Sequence, residues 1–259
     1  MKSFKDKTVL IAGASSGMGR LLALKLAGAG ARLAVTARRQ EKLESLNAEI
    51  IANGGQCLAI AADAQNDEAA AAVVAATIAH FGRIDLAVLN AGGAPALDMR
   101  IMSVREVNAY MRSNYDVTVN YLFPVLHHMR QNRAGVIAHT NSLAGFLGLP
   151  LQGPYSAAKG ATRLLMDTCR IEFARYGIKF ITIYPGFVAN ERTANDGMPK
   201  SQEISEERAV EYILHALRTE PTDYAFPPNM RRLIRLAHFL PKPLLSWILK
   251  KQMPFLPEL

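Results

Sequence analysis

Short apolar runs alternate along the chain with longer stretches in which apolar residues recur every three or four positions. Six of the short runs are nearly continuous in apolar residues, as strands buried on both faces of a sheet are. These six predicted strands are Thr8–Gly13, Arg32–Ala37, Cys57–Ala62, Ile84–Gly92, Gly135–Ser142 and Ile178–Gly186. The predicted helices between them are Met18–Ala29, Arg39–Asn53, Asn66–Phe81, Ser103–Asn132 and Pro154–Tyr176.

This alternation of strand and helix predicts an α/β protein with a parallel sheet flanked by helices on both faces. Because crossovers between parallel strands are right-handed, the fold should be doubly wound, of the Rossmann type. No internal repeat, low-complexity linker or domain boundary interrupts the pattern. We therefore expect one domain over residues 1–226, extended by a short helical segment over residues 227–259.

The composition fits a chain that buries a large hydrophobic core and that resides in a reducing compartment. Half of the 259 residues are hydrophobic, yet no apolar run reaches the roughly 18 residues that span a bilayer. The first residues, MKSFKDKTVLIAG, lack the apolar stretch of a signal peptide. Cys57 and Cys169 are too few and too far apart for a disulfide framework or a metal cluster. We expect a cytoplasmic protein.

The basic residues are concentrated near the C-terminus. The formal net charge is +8, and residues 227–259 hold six Lys or Arg against a single acid, Glu258. Because the excess is local, the charge argues against a nucleic-acid-binding domain.

A glycine-rich segment, GASSGMG, joins the first predicted strand to the first predicted helix. Glycines at such a turn let the backbone approach a pyrophosphate, whose charge lies at the positive end of the helix. A tight turn without a ligand would need the same small residues. The position of the segment, at the start of the first strand–helix unit, favours a dinucleotide site.

Further motifs follow this segment in a characteristic order. They are Asp63 after the third strand, LNAG at Leu89–Gly92, Asn114, Ser142, YSAAK at Tyr155–Lys159 and PGFV at Pro185–Val188. With the GxxxGxG spacing of the first turn, the chain resembles the short-chain dehydrogenases/reductases over residues 7–188. The resemblance implies a single Rossmann-fold enzyme that oxidises or reduces small molecules with a nicotinamide dinucleotide. We also expect a homo-oligomer, either a dimer or a tetramer.

The residues after the second strand indicate which dinucleotide binds. A site for NAD usually places an acid there to bind the ribose hydroxyls, whereas this chain has Ala37 followed by Arg38 and Arg39. A guanidinium binds a 2′-phosphate that a carboxylate would repel. The two arginines could instead begin a solvated helix. The missing acid favours NADP(H), with Ser15 or Ser16 assisting.

The resemblance assigns the cofactor contacts residue by residue. Asp63 matches the position that binds the adenine amine, and Asn90 to Gly92 match the turn beside the adenosine. Asn190 stands where the family often has a threonine that meets the nicotinamide carboxamide. The full set of expected cofactor positions is Gly13, Ser15, Ser16, Gly17, Met18, Gly19, Arg38, Arg39, Asp63, Ala64, Asn90, Ala91, Gly92, Tyr155, Lys159, Pro185, Gly186, Val188 and Asn190.

Tyr155 and Lys159 are four residues apart on a predicted helix, so their side chains share one helical face. Taken alone, the pair could be an ordinary surface feature. The resemblance gives Tyr155 the role of proton donor to a carbonyl, with Lys159 lowering the phenol pKa from about 10. By the same resemblance, Ser142 orients the carbonyl and Asn114 holds a water that connects Lys159 to solvent.

No metal site is expected. His127 and His128 are adjacent on a predicted helix, so their side chains point apart, and no carboxylate cluster accompanies them.

The segment before Tyr155 and the PGFV turn offer an apolar lining for a substrate. The candidate residues are Phe146, Leu147, Leu149, Leu151 and Phe187. They fit an uncharged ketone, aldehyde or alcohol, although packing onto the core or a partner subunit would use them equally well. The polar residues 190–205 suit a mobile flap over the site.

The C-terminal segment combines an apolar stripe with basic residues. Met230, Leu233, Ile234, Ala237 and Leu240 recur at helical spacing, and LLSWILKK follows. Such a segment can lie in a membrane interface, but amphipathic helices more often face a protein core. We therefore favour coverage by protein and leave the membrane surface open.

Together the motifs predict an NADPH-linked carbonyl reductase or alcohol dehydrogenase acting on a small molecule. Two alternatives remain open at this point. One is reduction of 3-oxoacyl groups on a carrier protein, which the basic tail would suit. The other is a cofactor-binding regulator that has lost catalysis, which the presence of Asn114, Ser142, Tyr155 and Lys159 opposes.

Overall fold

The structure is a computed structural model that describes residues 1–93, 95–189 and 203–251, with the backbone alone at positions 235 and 238. Its centre is a parallel sheet of seven strands in the order β3-β2-β1-β4-β5-β6-β7. The strands are β1 (Thr8–Ala12), β2 (Arg32–Ala37), β3 (Gln56–Ala61), β4 (Leu86–Leu89), β5 (Gly135–Thr140), β6 (Ile178–Pro185) and β7 (Asp223–Phe226).

The six predicted strands are confirmed, with ends that differ by up to three residues. The seventh, β7, was not predicted because it has four residues and only Phe226 is fully buried. It pairs with β6 at the edge of the sheet, where a strand needs less apolar character.

Helices cover both faces of the sheet. In the described part of the chain they are α1 (Gly17–Gly28), α2 (Gln40–Ala52), α3 (Asp67–Phe81), α4 (Val104–Asn114), α5 (Asp116–Asn132), α6 (Gly153–Phe173), α7 (Glu206–Thr219), α8 (Pro228–His238) and α9 (Lys242–Lys251). The predicted helix over Ser103–Asn132 is wrong in one respect, because it breaks at Tyr115 into α4 and α5. Helix α7 was not predicted at all.

Local sequence explains where several helices begin. The side chain of Asn66 accepts a hydrogen bond from the amide of Ala69 and so caps α3. Ser103 and Glu106 form a reciprocal capping box at the start of α4. Ser205 caps α7 by accepting from the amide of Arg208.

The core lies in two layers, one on each face of the sheet. Along β1, Val9 and Ile11 pack into one layer, and Leu10 and Ala12 pack into the other, as the alternation of side chains along a strand requires. The first layer contains α1, α2 and α7. The second contains α3, α5 and α6. The predicted doubly wound fold is thus confirmed.

The strand order reverses between β1 and β4, since the chain builds β2 and β3 on one side of β1 and the later strands on the other. In open α/β sheets the crevice at such a point, beyond the carboxyl ends of the strands, is where ligands bind. None of the helices within the described ranges is both long and apolar enough to cross a membrane.

Candidate active site

A cleft of about 830 Å³ lies at the carboxyl ends of β1 and β4. It is lined by all the predicted cofactor and catalytic positions except three. Gly19 and Asn114 lie beneath its floor, as described below, and Asn190 lies outside the described residues, as do most of the positions predicted as a flap.

Gly13 and Gly19 allow close packing under the cleft between the glycine-rich loop, the start of α1 and the backbone at Ala91. Gly13 has φ +88°, and a Cβ there would come within 2.8 Å of the Cα of Ala91. A Cβ on Gly19 would lie 2.1 Å from the carbonyl oxygen of Gly13. That carbonyl also accepts a hydrogen bond from the side chain of Asn90 at 3.2 Å. A side chain at Gly13 or Gly19 would therefore push the loop away from the backbone that follows β4.

Arg39 lies against the hydroxyls of this loop. Its guanidinium donates to the Oγ of Ser15 at 2.9 Å and also to the Oγ of Ser16. Arg38 lines the same part of the cleft and is exposed. Ala37 leaves the end of β2 without a carboxylate, and its carbonyl accepts from the amide of Ala62. Two cations, two hydroxyls and the amide end of α1 therefore make this region suited to anions.

One acid lining the cleft was not anticipated. Glu206, the first residue of α7, places its Oε1 3.0 Å from where a Cβ on Gly17 would be. The sequence offered no signal for it, because α7 lies well beyond the recognisable motifs and reaches the loop only through packing against α1.

Ser142 and Tyr155 meet through the turn that follows β5. Ser142 lies two residues beyond the end of β5, and its Oγ accepts from the amide of Ala144 at 3.1 Å. Tyr155 lies in the first turn of α6. Burial raises the pKa of the Tyr155 phenol, and its hydrogen bond with Ser142 acts in the opposite direction. The pKa of the phenol is therefore raised, whereas the resemblance implied that it would be lowered, and the phenol is protonated at neutral pH.

Lys159 follows one turn later and is 3% exposed. Its Nζ donates to the carbonyl of Thr140 at 2.9 Å and lies 5.7 Å from the centre of the Tyr155 ring. Burial lowers the pKa of Lys159 to about 8, because a low-dielectric surrounding disfavours the ammonium.

Asn114 lies at the break between α4 and α5. Its Oδ1 accepts from the amide of Gly93 at 2.7 Å, and its Nδ2 donates to the carbonyl of Gly93 at 3.2 Å. The amide of Thr118, which would bond the Asn114 carbonyl in a continuous helix, donates to Tyr115 instead. A Cβ on Gly92 would lie 3.0 Å from Asn114 Oδ1 and 3.6 Å from Lys159 Nζ, so the two groups are near neighbours.

Asn141 connects these groups and was missed by the sequence analysis. Its Oδ1 accepts from the amide of Ser142 at 2.8 Å, and its Nδ2 donates to the carbonyl of Lys159 at 3.0 Å. It thereby fixes the end of β5 to the second turn of α6. The sequence offered only its position directly before the predicted serine, and its burial appears in the structure alone.

The far end of the cleft is apolar. Of the five residues proposed for a substrate lining, Leu149 and Phe187 do line the cleft. Phe146 and Leu147 do not line it but pack against the cluster of Leu143, Tyr184, Met230 and Ile234, and Leu151 is buried. Leu143, Met230 and Ile234 complete the apolar wall, and the last two come from the C-terminal helix α8.

Of the two histidines considered for a metal, His128 takes part in a hydrogen bond within the protein. His128 accepts a hydrogen bond from the amide of Ile84 at 3.2 Å. Burial lowers the pKa of His128. Over the described ranges, no three His, Cys, Asp or Glu side chains are grouped as metal ligands.

Comparisons with known proteins agree with this architecture. The family model described as "short chain dehydrogenase" matches residues 7–200. An "Uncharacterized oxidoreductase" of Myxococcus xanthus is 32% identical over 244 residues, which cover 94% of this chain and 96% of that protein. A 3-oxoacyl-[acyl-carrier-protein] reductase of Synechocystis is 32% identical over 196 residues, covering 75% of this chain and 79% of the relative. Among solved structures, a short-chain dehydrogenase from Streptomyces avermitilis superposes with a TM-score of 0.80 at 25% identity, covering 95% of each chain.

Proposed function

Since the chain belongs to the short-chain dehydrogenase/reductase family, we propose that it is an NADP(H)-dependent enzyme that interconverts a carbonyl and an alcohol on an apolar small molecule. Family membership makes it an oxidoreductase of alcohol or carbonyl groups that binds NAD(P). The preference for NADP(H), the roles of the site residues and the apolar substrate are the proposal.

The residues around the glycine loop fit a dinucleotide. A pyrophosphate needs close approach to backbone, and the loop from Gly13 to Met18 lines the cleft where α1 begins. The guanidinium of Arg39, already hydrogen-bonded to Ser15, would hold a 2′-phosphate together with Arg38. Because Ala37 leaves the adjoining position uncharged, nothing there repels that phosphate.

When bound, the dinucleotide supplies or accepts the hydride. Tyr155 supplies the proton: its phenol, protonated at neutral pH, donates to the carbonyl oxygen during reduction. Ser142 donates a hydrogen bond to the same oxygen and stabilises the charge that develops on it. In the reverse direction, the Tyr155 phenolate takes the proton from the alcohol.

Lys159 and Asn114 serve Tyr155. The ammonium, 5.7 Å from the phenol ring, favours the phenolate electrostatically and would bind the ribose of the dinucleotide. Asn114, fixed to Gly93 by two hydrogen bonds, holds the loop that carries Gly92 beside Lys159. The backbone carbonyl of Asn114 does not accept from Thr118, because the helix breaks before α5. It can therefore bind a water that returns protons to Lys159.

One observation supports the proposal most strongly. Tyr155, bonded to Ser142 and close to Lys159, lines the same cleft as the glycine loop and the Arg39–Ser15 pair. An ordinary surface pair of tyrosine and lysine would have neither the burial of Lys159 nor the shared cleft.

The test is NADPH oxidation with a panel of apolar ketones and aldehydes, compared with Tyr155→Phe. We expect turnover for the parent, and a loss of at least about a thousandfold for the variant because the proton donor is removed. The variant should still bind NADPH, since its cofactor contacts remain. Turnover of Tyr155→Phe within tenfold of the parent would contradict the proposed role, and NADPH binding with no turnover on any carbonyl would favour a regulator.

A second candidate substrate is a 3-oxoacyl group on a carrier protein. The Synechocystis relative bears that activity in its name, and the basic residues of α8 and α9 would attract an acidic carrier. Comparing 3-oxoacyl-carrier substrates with the free 3-oxoacyl ester separates the two proposals. If the carrier raises kcat/KM at least tenfold, the carrier-bound substrate is favoured.

A further inference from the structure

Much of the exposed apolar surface lies on the last two described helices and the short turn between them. Among the described residues, twelve large hydrophobic side chains are exposed, and five of them fall between positions 233 and 247. These five are Leu233, Leu236, Phe239, Leu244 and Trp247. Large exposed apolar side chains concentrated in one short segment indicate a contact with something outside the molecule.

Helix α9 shows this most clearly. Half of its ten residues are Leu, Ile or Trp, yet none of the ten is buried. Leu244 is 45% exposed and Trp247 is 56% exposed. A helix of this composition in a protein core would bury most of these side chains.

Helix α8 has two apolar sides with different surroundings. Met230 and Ile234 are 7% and 8% exposed and line the cleft. Leu233 and Leu236 are 50% and 68% exposed. The rest of the protein therefore covers only part of the apolar stripe of α8. The outer part, at Leu233 and Leu236, is available to contact another surface.

The positive charge of residues 227–251 indicates that the surface they contact is negatively charged. Residues 227–251 contain six Lys or Arg and no Asp or Glu, so they account for most of the chain's formal net charge of +8. Arg232 is exposed beside the outer leucines of α8, and Lys250 is exposed at the end of α9. The Nζ of Lys251 lies 3.7 Å from the centre of the Trp247 ring.

We propose that α8 and α9 dock on an anionic lipid surface. Exposed Leu and Trp side chains enter the boundary between headgroups and acyl chains, and the flanking Lys and Arg side chains bind the headgroups. This geometry requires helices that lie in the interface and does not require one that spans it.

A second copy of the chain fits this surface less well. A two-fold interface brings the same patch of both subunits together, so it would oppose two strips that each carry six cations and no acid. An acidic partner protein would satisfy the charges. The exposed Trp247 and a helix α9 in which no residue is buried, however, favour a fluid apolar surface over a fixed one.

Trp247 is the only tryptophan in the chain, so its fluorescence reports on α9 directly. The full-length enzyme is mixed with vesicles of phosphatidylcholine and phosphatidylglycerol, or with pure phosphatidylcholine, and binding is measured by flotation and by Trp247 emission. We expect binding to the anionic vesicles with a blue shift of emission. Binding should weaken at least tenfold on pure phosphatidylcholine or at about 0.5 M salt.

Two variants separate the apolar and the electrostatic contributions. Arg232→Glu with Lys250→Glu should weaken vesicle binding by at least about 25-fold, because each cation near an anionic surface contributes roughly fivefold. Leu233→Ser with Leu236→Ser should weaken it at least fivefold through lost apolar contact. The matched controls are Arg105→Glu and Val104→Ser, since Val104 is 78% exposed on α4. Both controls should bind vesicles like the parent.

These measurements do not depend on the reaction. NADPH binding serves as the check that each variant is folded. Equal binding by the tail variants and their controls, or no emission shift with anionic vesicles, would overturn the proposal. So would a dimer by light scattering that the tail variants dissociate, or binding to an acyl-carrier protein in place of vesicles.

Discussion

The ammonium nitrogen of Lys159 lies 5.7 Å from the centre of the Tyr155 ring, and it is held by the backbone carbonyl of Thr140 at 2.9 Å. A carbonyl compensates a buried ammonium less than a carboxylate does, and the pKa of Lys159 accordingly falls to about 8. The arrangement keeps a positive charge next to the phenol, where the proposed chemistry needs it. It does so at a cost in the stability of the fold.

Lys159→Met should therefore raise the free energy of unfolding at pH 7 by roughly 1–3 kcal/mol, because it replaces a buried charge by an apolar chain of similar length. The same variant should lose turnover. Denaturant unfolding of both proteins without cofactor measures the difference. Lys179→Met is the control. Lys179 is 64% exposed and paired with Glu220, so its loss should change the free energy of unfolding by less than about 1 kcal/mol.

The stability of the parent should also depend on pH through Lys159. The pKa of Lys159 is about 8 in the folded state, against the ordinary lysine value of 10.5 in the unfolded state. Between these values the unfolded state binds more protons, so the free energy of unfolding rises with pH. The advantage of Lys159→Met should shrink over this window. An advantage that grows with pH would contradict the depressed pKa.

Arg39→Ala should weaken NADPH binding by about 10- to 100-fold, because a charge-assisted hydrogen bond to a phosphate contributes roughly 1.5–3 kcal/mol. Arg38→Ala should act in the same direction. NADH binding should change by less than about threefold in both, as NADH lacks the 2′-phosphate. Titration of each variant with both cofactors checks this.

The control for this prediction is Lys42→Ala. Lys42 is an exposed cation of α2 and does not line the cleft, so its removal should affect both cofactors equally and slightly. Equal losses of NADPH and NADH in Arg39→Ala would remove the arginine from recognition of the phosphate.

The fold was predictable wherever burial on both faces leaves a continuous apolar run. Strand β2, over Arg32–Ala37, has the same ends in sequence and structure. Strand β7 and helix α7 were missed because an edge strand with polar residues and a helix beyond the motifs carry no comparable pattern. The break at Tyr115 was missed because α4 and α5 are separated by a single residue, and neither glycine nor proline marks it.

The site was predictable where a backbone requirement or a chemical role dictates one residue type. Gly13 and Ser142 are examples, since each is tied to a motif. Asn141 and Glu206 reach the site through tertiary packing, so no spacing in the sequence announces them. Helix α8 could be predicted as amphipathic. Its apolar spacing did not, however, distinguish Met230, which lines the cleft, from Leu236, which is exposed.

Gly13→Ala should abolish NADPH binding and lower the free energy of unfolding by roughly 1–3 kcal/mol, because it forces a side chain into a left-handed conformation. The new Cβ would also come within 2.8 Å of the backbone of Ala91. Calorimetry and cofactor titration measure the two effects. Gly28→Ala is the control, as a Cβ at this helical position meets nothing within 4 Å. That change should stabilise the protein by about 0.5–1 kcal/mol.

Met230→Ala with Ile234→Ala should alter substrate use without altering cofactor use. Both side chains line the apolar end of the cleft and are nearly buried, and lost methylenes in an apolar pocket cost roughly 10- to 200-fold in kcat/KM. We expect the loss to be largest for the most apolar carbonyl of the panel and absent for a small polar one. NADPH affinity should stay within about twofold, which is measured by titration.

Leu233→Ala, on the same helix, distinguishes a pocket effect from a general weakening of α8. Leu233 is half exposed and does not line the cleft, so its variant should keep the parent's order of substrates in vesicle-free buffer. If Leu233→Ala reorders the substrates as strongly as the double variant, α8 acts through its overall stability. If only the double variant does so, Met230 and Ile234 contact the substrate, and helix α8 is part of the site.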